Sequence, residues 1–197
     1  MSTQGSKRYS GSDHLEVRRQ IFHLVLISLW IVPILFMPLP VTLTLMVLIV
    51  VINLMVVRKA DPVFKLVKPL IDRLEREENL ERPGIQALYA NLGVLISFLL
   101  FGKISAFGVA VLSVGDSLST LVGRAFGRNP VFFNPAKSWE GTIAFFFGVY
   151  LVMLPFLGAE RALLLGLVAS LVEAVRTGMD DNLTLPVTGS LVVYLVW

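Results

Sequence analysis

Apolar runs long enough to cross a lipid bilayer are the feature that most restricts the fold of this chain. Hydrophobic residues make up 55% of its 197 residues, and the mean hydropathy is +0.77. A bilayer core about 30 Å thick requires roughly 20 apolar residues per helix. The runs are continuous rather than alternating, which argues against transmembrane strands. They cover residues 21–38, 41–57, 85–101, 104–122, 142–157, 161–175 and 183–197.

We therefore predict an all-α, multi-pass membrane protein with about seven transmembrane helices, several of them short enough to imply tilt or partial spans. Residues 14–197 would form a single integral-membrane domain. Residues 1–13, which read MSTQGSKRYSGSD, are rich in Ser and Gly and are predicted to form a disordered tail. The absence of cysteine excludes disulfides and thiolate metal sites.

The basic residues predict how the chain is oriented in the membrane. If the N-terminus lies in the cytoplasm, all but two of the 17 Lys and Arg residues, Lys103 and Arg161, fall on the cytoplasmic side. This bias follows the positive-inside rule and places every polar cluster of the chain on the cytoplasmic face. Because topology explains the net charge of +3, the charge does not call for a nucleic-acid partner.

Residues 58–84 predict a helix that lies on the cytoplasmic surface of the membrane. Apolar residues from Val63 to Leu74 recur at helical spacing, and charged residues such as Lys65 and Asp72 take other faces. That pattern is typical of an amphipathic interfacial helix. Two interpretations stay open, a plain surface connector and a lip through which a lipid enters.

The stretch GDSLSTLVGRAFGRNP contains the first polar cluster. Asp116 falls within or at the end of the fourth apolar run, where an ionisable residue is a functional hypothesis by default. Small residues recur at every fourth position beside it, and this pattern allows two compatible interpretations. The first is close packing between helices, including helices of different subunits in a homo-oligomer. The second is an exposed backbone that a phosphate can approach. The residues of this cluster are Gly115, Asp116, Ser119, Gly123, Arg124, Gly127 and Arg128.

The stretch NPAKSWEGT contains the second cluster. Lys137 can meet a phosphate as a point charge. Ser138 is a candidate N-cap for the fifth span, with Glu140 in its first turn, and a helix N-terminus facing the cytoplasm binds anions readily. The alternative is an ordinary interfacial anchor built from Trp139 and Lys137.

The third cluster lies between the last two spans, in the sequence GMDDNLTLP. Asp180, Asp181 and Asn182 follow Glu173, and adjacent carboxylates repel unless a cation or solvent separates them. One interpretation is a solvated turn. The other is a Mg²⁺ site, because Mg²⁺ prefers oxygen ligands and usually takes one or two carboxylates together with substrate phosphates.

Together the clusters favour the functional interpretations. Metal-holding carboxylates beside basic residues are the apparatus of phosphoryl or nucleotidyl transfer. The sequence contains no GxxxxGK[ST] loop and no GxSxG elbow, and its two histidines, His14 and His23, are too few for a His-rich metal site. The oxygen donors are Asp116, Glu140, Glu173, Asp180, Asp181 and Asn182, and the cations are Arg19, Arg124, Arg128 and Lys137.

The motifs GDSLSTLVGRAFG, KSWEGT and E-x6-DDNLTLP resemble those of the CTP-dependent lipid kinase family, which includes CTP-using diacylglycerol kinases, dolichol and polyprenol kinases, and phytol kinases. Glu16, Arg19 and His23 match the family's N-terminal pattern, with Gln20 where a Lys is usual. The resemblance covers residues 16–190. It implies an integral-membrane enzyme that transfers the γ-phosphate of CTP to the hydroxyl of a membrane lipid.

The resemblance also implies roles for individual residues. Asp116, Asp181 and Lys137 would be catalytic. Mg²⁺ would be held by members of the set Asp116, Glu173, Asp180, Asp181 and Asn182. The nucleotide and its phosphates would meet Arg19, Gly115, Ser119, Gly123, Arg124, Arg128, Lys137, Ser138 and Glu140.

Two other functions stay open at this point. KSWEG is also close to a segment of phosphatidate cytidylyltransferase, a more distant relative, but SLVEAVRTGMDDN lacks the Lys-Arg pair and the Lys-Asp of that enzyme. A small transporter would use Asp116 as an ion site. Against a transporter, the other spans have no charged residue near their middle, and the halves of the chain show no repeat.

Overall fold

The computed structural model describes residues 11–75, 79–176 and 178–197, which are mostly helical. Most of the predicted tail, residues 1–10, lies outside the described residues, and the first helix begins at Gly11. The helices are α1 Gly11–Ser28, α2 Ile31–Phe36, α3 Leu39–Val57, α4 Val63–Leu74, α5 Ile85–Phe101, α6 Ser105–Ala110, α7 Ser117–Phe126, α8 Trp139–Leu157, α9 Ala159–Ala174 and α10 Asp181–Val196.

Four helical stretches in the described part of the chain are long and apolar enough to cross a membrane. They are Leu15–Phe36, Leu39–Val57, Ile85–Phe126 and Trp139–Leu157. The third stretch joins two predicted spans through a 3-10 turn at Gly102–Ile104, where Gly102 adopts a positive φ of 56°. Helices α9 and α10 correspond to the last two predicted spans but have only 16 residues each. A mostly helical fold with helices fit to span a membrane is thus confirmed, while seven complete spans stay a prediction.

A short antiparallel hairpin departs from the all-α prediction. Strands β1 Pro130–Val131 and β2 Asn134–Ser138 pair with Pro130 opposite Ser138 and Val131 opposite Asn134. The backbone N–H of Trp139 donates to the carbonyl of Asn129 at 2.9 Å and closes the base of the hairpin. The hairpin therefore holds Lys137 and Ser138 immediately before α8.

The core lies where α8 packs between α7 and α9, and where α10 packs against α5, α6 and α9. Glycine permits the closest approaches. A Cβ atom at Gly115 would lie 2.5 Å from the ring of the fully buried Phe145, and one at Gly189 would lie 3.1 Å from the Cα of Gly108. These contacts fix α10 and the segment immediately before α7, and both α7 and α10 contribute to the candidate site.

Helix α4 occupies the region where an interfacial helix was predicted. Leu66 is 83% exposed and Leu70 is 44% exposed, whereas Lys68 pairs with Asp72 at 2.8 Å on the same helix. Pro69 stands within the helix. The helix and its exposed leucines agree with the sequence pattern, and its location on the membrane surface stays a prediction.

Candidate active site

A cavity of about 530 Å³ brings the three polar clusters and α1 together. It lies among α1, the start of α5, α7, the hairpin and the start of α10. Gly115, Glu140 and Glu173 of the predicted set do not line it. The predicted residues that do line it are Arg19, Asp116, Ser119, Gly123, Arg124, Arg128, Lys137, Ser138, Asp180, Asp181 and Asn182.

Asp116 lies at the inner part of this cavity. It ends a π-helical segment, Val111–Asp116, that precedes α7, and π-helical turns often occur at functional sites. His23 of α1 faces it, with 3.8 Å between His23 Nε2 and Asp116 Oδ2. The charges of Lys137, Asp181 and Arg19 all act on Asp116. The carboxylate therefore faces both basic and acidic groups of the cavity.

A buried carboxylate organises two of the cationic side chains. Glu16 is 4% exposed, and its Oε1 accepts from Arg19 Nη2 at 2.5 Å while its Oε2 accepts from Arg124 Nη1 at 2.8 Å. Gln20 Nε2 also donates to Glu16 at 3.0 Å, and Arg19 Nη1 donates to Gln86 Oε1 at 2.7 Å. Arginines from α1 and α7 are thereby held together at the cavity.

A second ion-pair cluster centres on Lys137 of β2. Its Nζ donates to Glu173 Oε1 at 2.5 Å and to Asp181 Oδ2 at 2.7 Å. Ser119 Oγ also donates to Glu173 Oε1, at 2.7 Å. Burial alone lowers the pKa of Lys137, but the charges of Glu173 and Asp181 outweigh it, so the pKa lies above its usual value. Lys137 is therefore a cation throughout the physiological pH range.

Two helix N-termini, those of α8 and α10, reach the cavity. Ser138 is the N-cap of α8, as predicted, and its Oγ accepts from the backbone N–H of Gly141 at 3.1 Å. Asp180 is the N-cap of α10, and its Oδ1 accepts from the backbone N–H of Asn182 at 2.9 Å. Helix N-termini favour anions because their first N–H groups lack intrahelical partners.

The small-residue stripe packs closely against its neighbours, and part of it also lines the cavity. Gly115 packs against Phe145 and lies away from the cavity, so the geometry does not favour a phosphate contact there. Gly123 lines the cavity and also packs closely, because a Cβ atom there would lie 3.2 Å from Ser138 Oγ. Gly127 lines the cavity as well.

Glu140 and Glu173 are placed differently from their predicted roles. Glu140 accepts from Asn129 Nδ2 at 2.7 Å at the base of the hairpin, where hydrogen bonds from its own and neighbouring backbone N–H groups stabilise its charge. It therefore braces the hairpin rather than facing the cavity. Glu173 is 1% exposed, and its Oε1 anchors Lys137 and Ser119, so it acts on the cavity through those two side chains.

A Mg²⁺ site stays a prediction, for which the described structure supplies oxygen donors but no complete acidic cluster. Among the described residues no three His, Asp or Glu side chains converge closely enough to bind a metal by themselves. Asp116, Asp181 and Asn182 nonetheless line one cavity, and Asn182 Oδ1 is buried without a hydrogen-bond partner in the described structure. Mg²⁺ usually takes one or two carboxylates and completes its shell with phosphate oxygens and water.

Several lining residues were absent from the sequence-based site or were left undecided. Gln86 lines the cavity and has no charge that would single it out in an apolar sequence. Thr120 also lines it, and its four-residue spacing from Asp116 predicts that the two share a face. His23 matches the N-terminal motif pattern without an assigned role, and the structure places it at the cavity. The buried anchor Glu16 could have been found from its three-residue spacing to Arg19, which puts both on one helix face.

Comparison with known proteins gives significant matches to plant kinases. A probable phytol kinase of Zea mays is 36% identical over 152 residues, covering 67% of this chain and 49% of the maize protein. Phytol kinase 1 of Arabidopsis thaliana is 28% identical over 146 residues, covering 64% of this chain and 48% of that protein. The farnesol kinase of Arabidopsis thaliana is 28% identical over 142 residues, covering 62% of this chain and 45% of that protein.

These plant proteins are all described as chloroplastic, and the chain spans about half of their length. No family model matches the sequence. No solved structure matches it either. Over about two thirds of its length, the chain is therefore similar to plant phytol and farnesol kinases.

Proposed function

We propose that this protein is a membrane-embedded kinase that transfers the γ-phosphate of CTP to the hydroxyl of an isoprenoid lipid alcohol, such as phytol or farnesol. The observation that carries the proposal is the single cavity in which Arg19, Arg124 and Lys137 face Asp116 and Asp181. Similarity to phytol and farnesol kinases supports the acceptor class. The choice of CTP, and diacylglycerol and dolichol as further acceptors, rest on the motif resemblance.

The cationic side chains and the two helix N-termini would bind the triphosphate. Arg19 and Arg124, held by Glu16, offer planar guanidinium groups suited to phosphate oxygens. Lys137 adds a point charge, and Gly123 and Gly127 line the same cavity while packing closely against Ser138. In phosphoryl transfer, positioning and neutralisation of charge supply most of the rate enhancement.

Asp116, Asp181 and Asn182 would hold the Mg²⁺ ion, with Asp180 positioning the start of α10. A bound Mg²⁺ neutralises charge on the phosphates during transfer. Lys137 lies between Asp181 and Glu173 and limits repulsion between the acids. These three side chains would thus supply the protein's oxygen ligands, and phosphate oxygens would complete the shell.

The cavity would open to the cytoplasm, where nucleotide is available. The distribution of Lys and Arg supports this orientation, with the N-terminus on the same side. Helix α4 would lie on that membrane surface through Leu66 and Leu70, close to the cavity-lining helix α1 that it contacts.

Two labels distinguish this function from the alternatives. The purified protein in detergent with Mg²⁺ is given phytol, farnesol, diacylglycerol or phosphatidate, and CTP labelled at either the α- or the γ-phosphate. We expect γ-label in a lipid phosphate and α-label in CDP. Incorporation of α-label into lipid with phosphatidate would make the protein a cytidylyltransferase, and no label in any lipid would contradict both enzymes.

Substitution of the acids tests the site itself. Asp116→Asn and Asp181→Asn should each abolish transfer while the protein elutes and melts as the parent does. Glu160→Gln, in the first turn of α9, is the matched control because Glu160 is exposed and does not line the cavity. Near-normal turnover in either aspartate variant would contradict the assigned site.

A further inference from the structure

A second cavity, of about 700 Å³, shares a wall with the first. Both cavities are lined by Pro135, Ala136, Asp180 and Asp181. Glu173 lines the second cavity only, although its carboxylate is bonded to Lys137 of the first. The side chains of Lys137, Asp181 and Glu173 therefore form the partition between the two cavities. A molecule bound in one cavity can meet a molecule bound in the other at Asp181.

The two cavities differ in charge. The first is lined by four cationic side chains and three carboxylates, whereas the second is lined by Arg176 and the carboxylates of Glu173, Asp180 and Asp181. The second cavity is therefore less favourable to a polyphosphate than the first. A neutral hydroxyl is not repelled there, and it can donate to a carboxylate. Asp181 lines this cavity and its side chain is 24% exposed, so a carboxylate acceptor is available in this wall.

An apolar path leads from the membrane face of α9 to the rim of the second cavity. Leu164, Leu167 and Leu171 are 44%, 45% and 56% exposed. Their spacing places them on one face of α9, and Val175 continues that face at the helix C-terminus. Val175 and Met179 line the cavity and are themselves 45% and 60% exposed. A long apolar chain lying on this face of α9 would end at the cavity.

We propose that the second cavity binds the acceptor alcohol, with its hydroxyl at Asp181 and its isoprenoid tail along Leu171, Leu167 and Leu164. This assignment rests on the proposed function and extends it by naming the acceptor site. The hydroxyl oxygen forms a bond to the γ-phosphorus of the nucleoside triphosphate in the first cavity. The bond from that phosphorus to the β,γ-bridging oxygen breaks, nucleoside diphosphate leaves, and the hydroxyl proton goes to water.

This placement meets the geometric demand of the reaction. In-line transfer requires the attacking and leaving oxygens on opposite sides of phosphorus. Entry of donor and acceptor from cavities on either side of one partition provides that arrangement. The same partition explains why Lys137 is bonded from both sides, by Asp181 and by Glu173.

Bulky substitutions at the exposed rim test the assignment with little risk to folding. Val175→Trp and Met179→Trp should each raise the Michaelis constant for phytol by about tenfold or more, as expected for obstruction of an apolar pocket. The Michaelis constant for CTP should stay unchanged. Leu151→Trp, at an exposed apolar position on α8, is the matched control and should leave both constants unchanged. An unchanged constant for phytol in both rim variants would overturn the proposal.

Photo-crosslinking keeps the assignment testable if the variants fold poorly or the protein shows no turnover. A farnesol analogue with a diazirine in its tail is bound to the unmodified protein in detergent, and crosslinked peptides are identified by mass spectrometry. We expect labels on residues 164–179, reduced by excess phytol and not by CTP. Labels confined to other helices would overturn the acceptor site, whereas labels at α9 without any lipid phosphate formed would overturn only the proposed reaction.

Discussion

Glu16 offers a sharp test, because one buried carboxylate holds two arginines from different helices. It accepts from Arg19 at 2.5 and 3.2 Å and from Arg124 at 2.8 Å. Glu16→Gln keeps the shape of the side chain but replaces one acceptor oxygen with an NH₂ donor facing guanidinium donors. Removing one partner of a buried ion pair costs about 3–5 kcal/mol. Because the Arg124 side chain is 42% exposed and can regain water, we expect about 2 kcal/mol.

That loss should be visible in stability and in nucleotide binding. Thermal unfolding followed by tryptophan fluorescence should show a melting temperature lower by about 5 °C. Misplacement of both arginines should also raise the Michaelis constant for CTP about tenfold, equivalent to about 1.4 kcal/mol. Glu160→Gln is the control. If Glu16→Gln matches that control in both measurements, Glu16 does not organise the site.

The remaining predictions concern the partition and the packing of α8. Lys137→Met should reduce the rate of phosphate transfer at least a hundredfold, which corresponds to about 3 kcal/mol of lost charge stabilisation. Lys103→Met is the control and should not reduce it. Equal activities of the two variants would contradict the role of Lys137. Gly141→Ala should lower the melting temperature, because the new Cβ atom would lie 2.9 Å from the carbonyl oxygen of Ser119. An unchanged melting temperature would show that α7 and α8 separate easily. Ser138→Ala should cost about 1 kcal/mol of stability in denaturant unfolding, and no loss would contradict the N-cap.

The helical segments could be predicted because a helix that crosses a bilayer needs a long run of apolar residues, and such runs are easily recognised in the sequence. The helix over Val63–Leu74 and the N-cap at Ser138 could also be predicted, because both depend on local residue spacing. The hairpin of Pro130–Val131 and Asn134–Ser138 did not, because two strands this short lack an alternating pattern.

The gathering of the three clusters could be argued from topology, since all were expected on one face of the membrane. Individual contacts could not. Glu140 and Lys137 are three residues apart, yet one faces the hairpin base and the other the cavity, because β2 ends and α8 begins between them. Gln86 comes from a helix whose sequence shows little but apolar residues, so only its hydrogen bond from Arg19 in the folded structure identifies it.

The second cavity was also beyond sequence reasoning. It depends on how the hairpin lies against the end of α9, where Asn134 Nδ2 donates to the carbonyl of Ala174 at 3.0 Å. Such a contact between residues 40 positions apart has no local signature. The exposed leucines of α9 were visible in the sequence only as part of an apolar span.

Transfer of phosphate from CTP to phytol by the purified protein is the measurement closest to the central claim. Unlabelled CTP, Mg²⁺ and phytol are incubated with the parent protein and with Asp116→Asn, and the products are quantified by phosphorus NMR and mass spectrometry. The account predicts equal amounts of CDP and phytyl phosphate with the parent and neither with the variant. CDP and phytyl phosphate from a folded Asp116→Asn protein, or release of phosphate from CTP without any lipid phosphate, would contradict it.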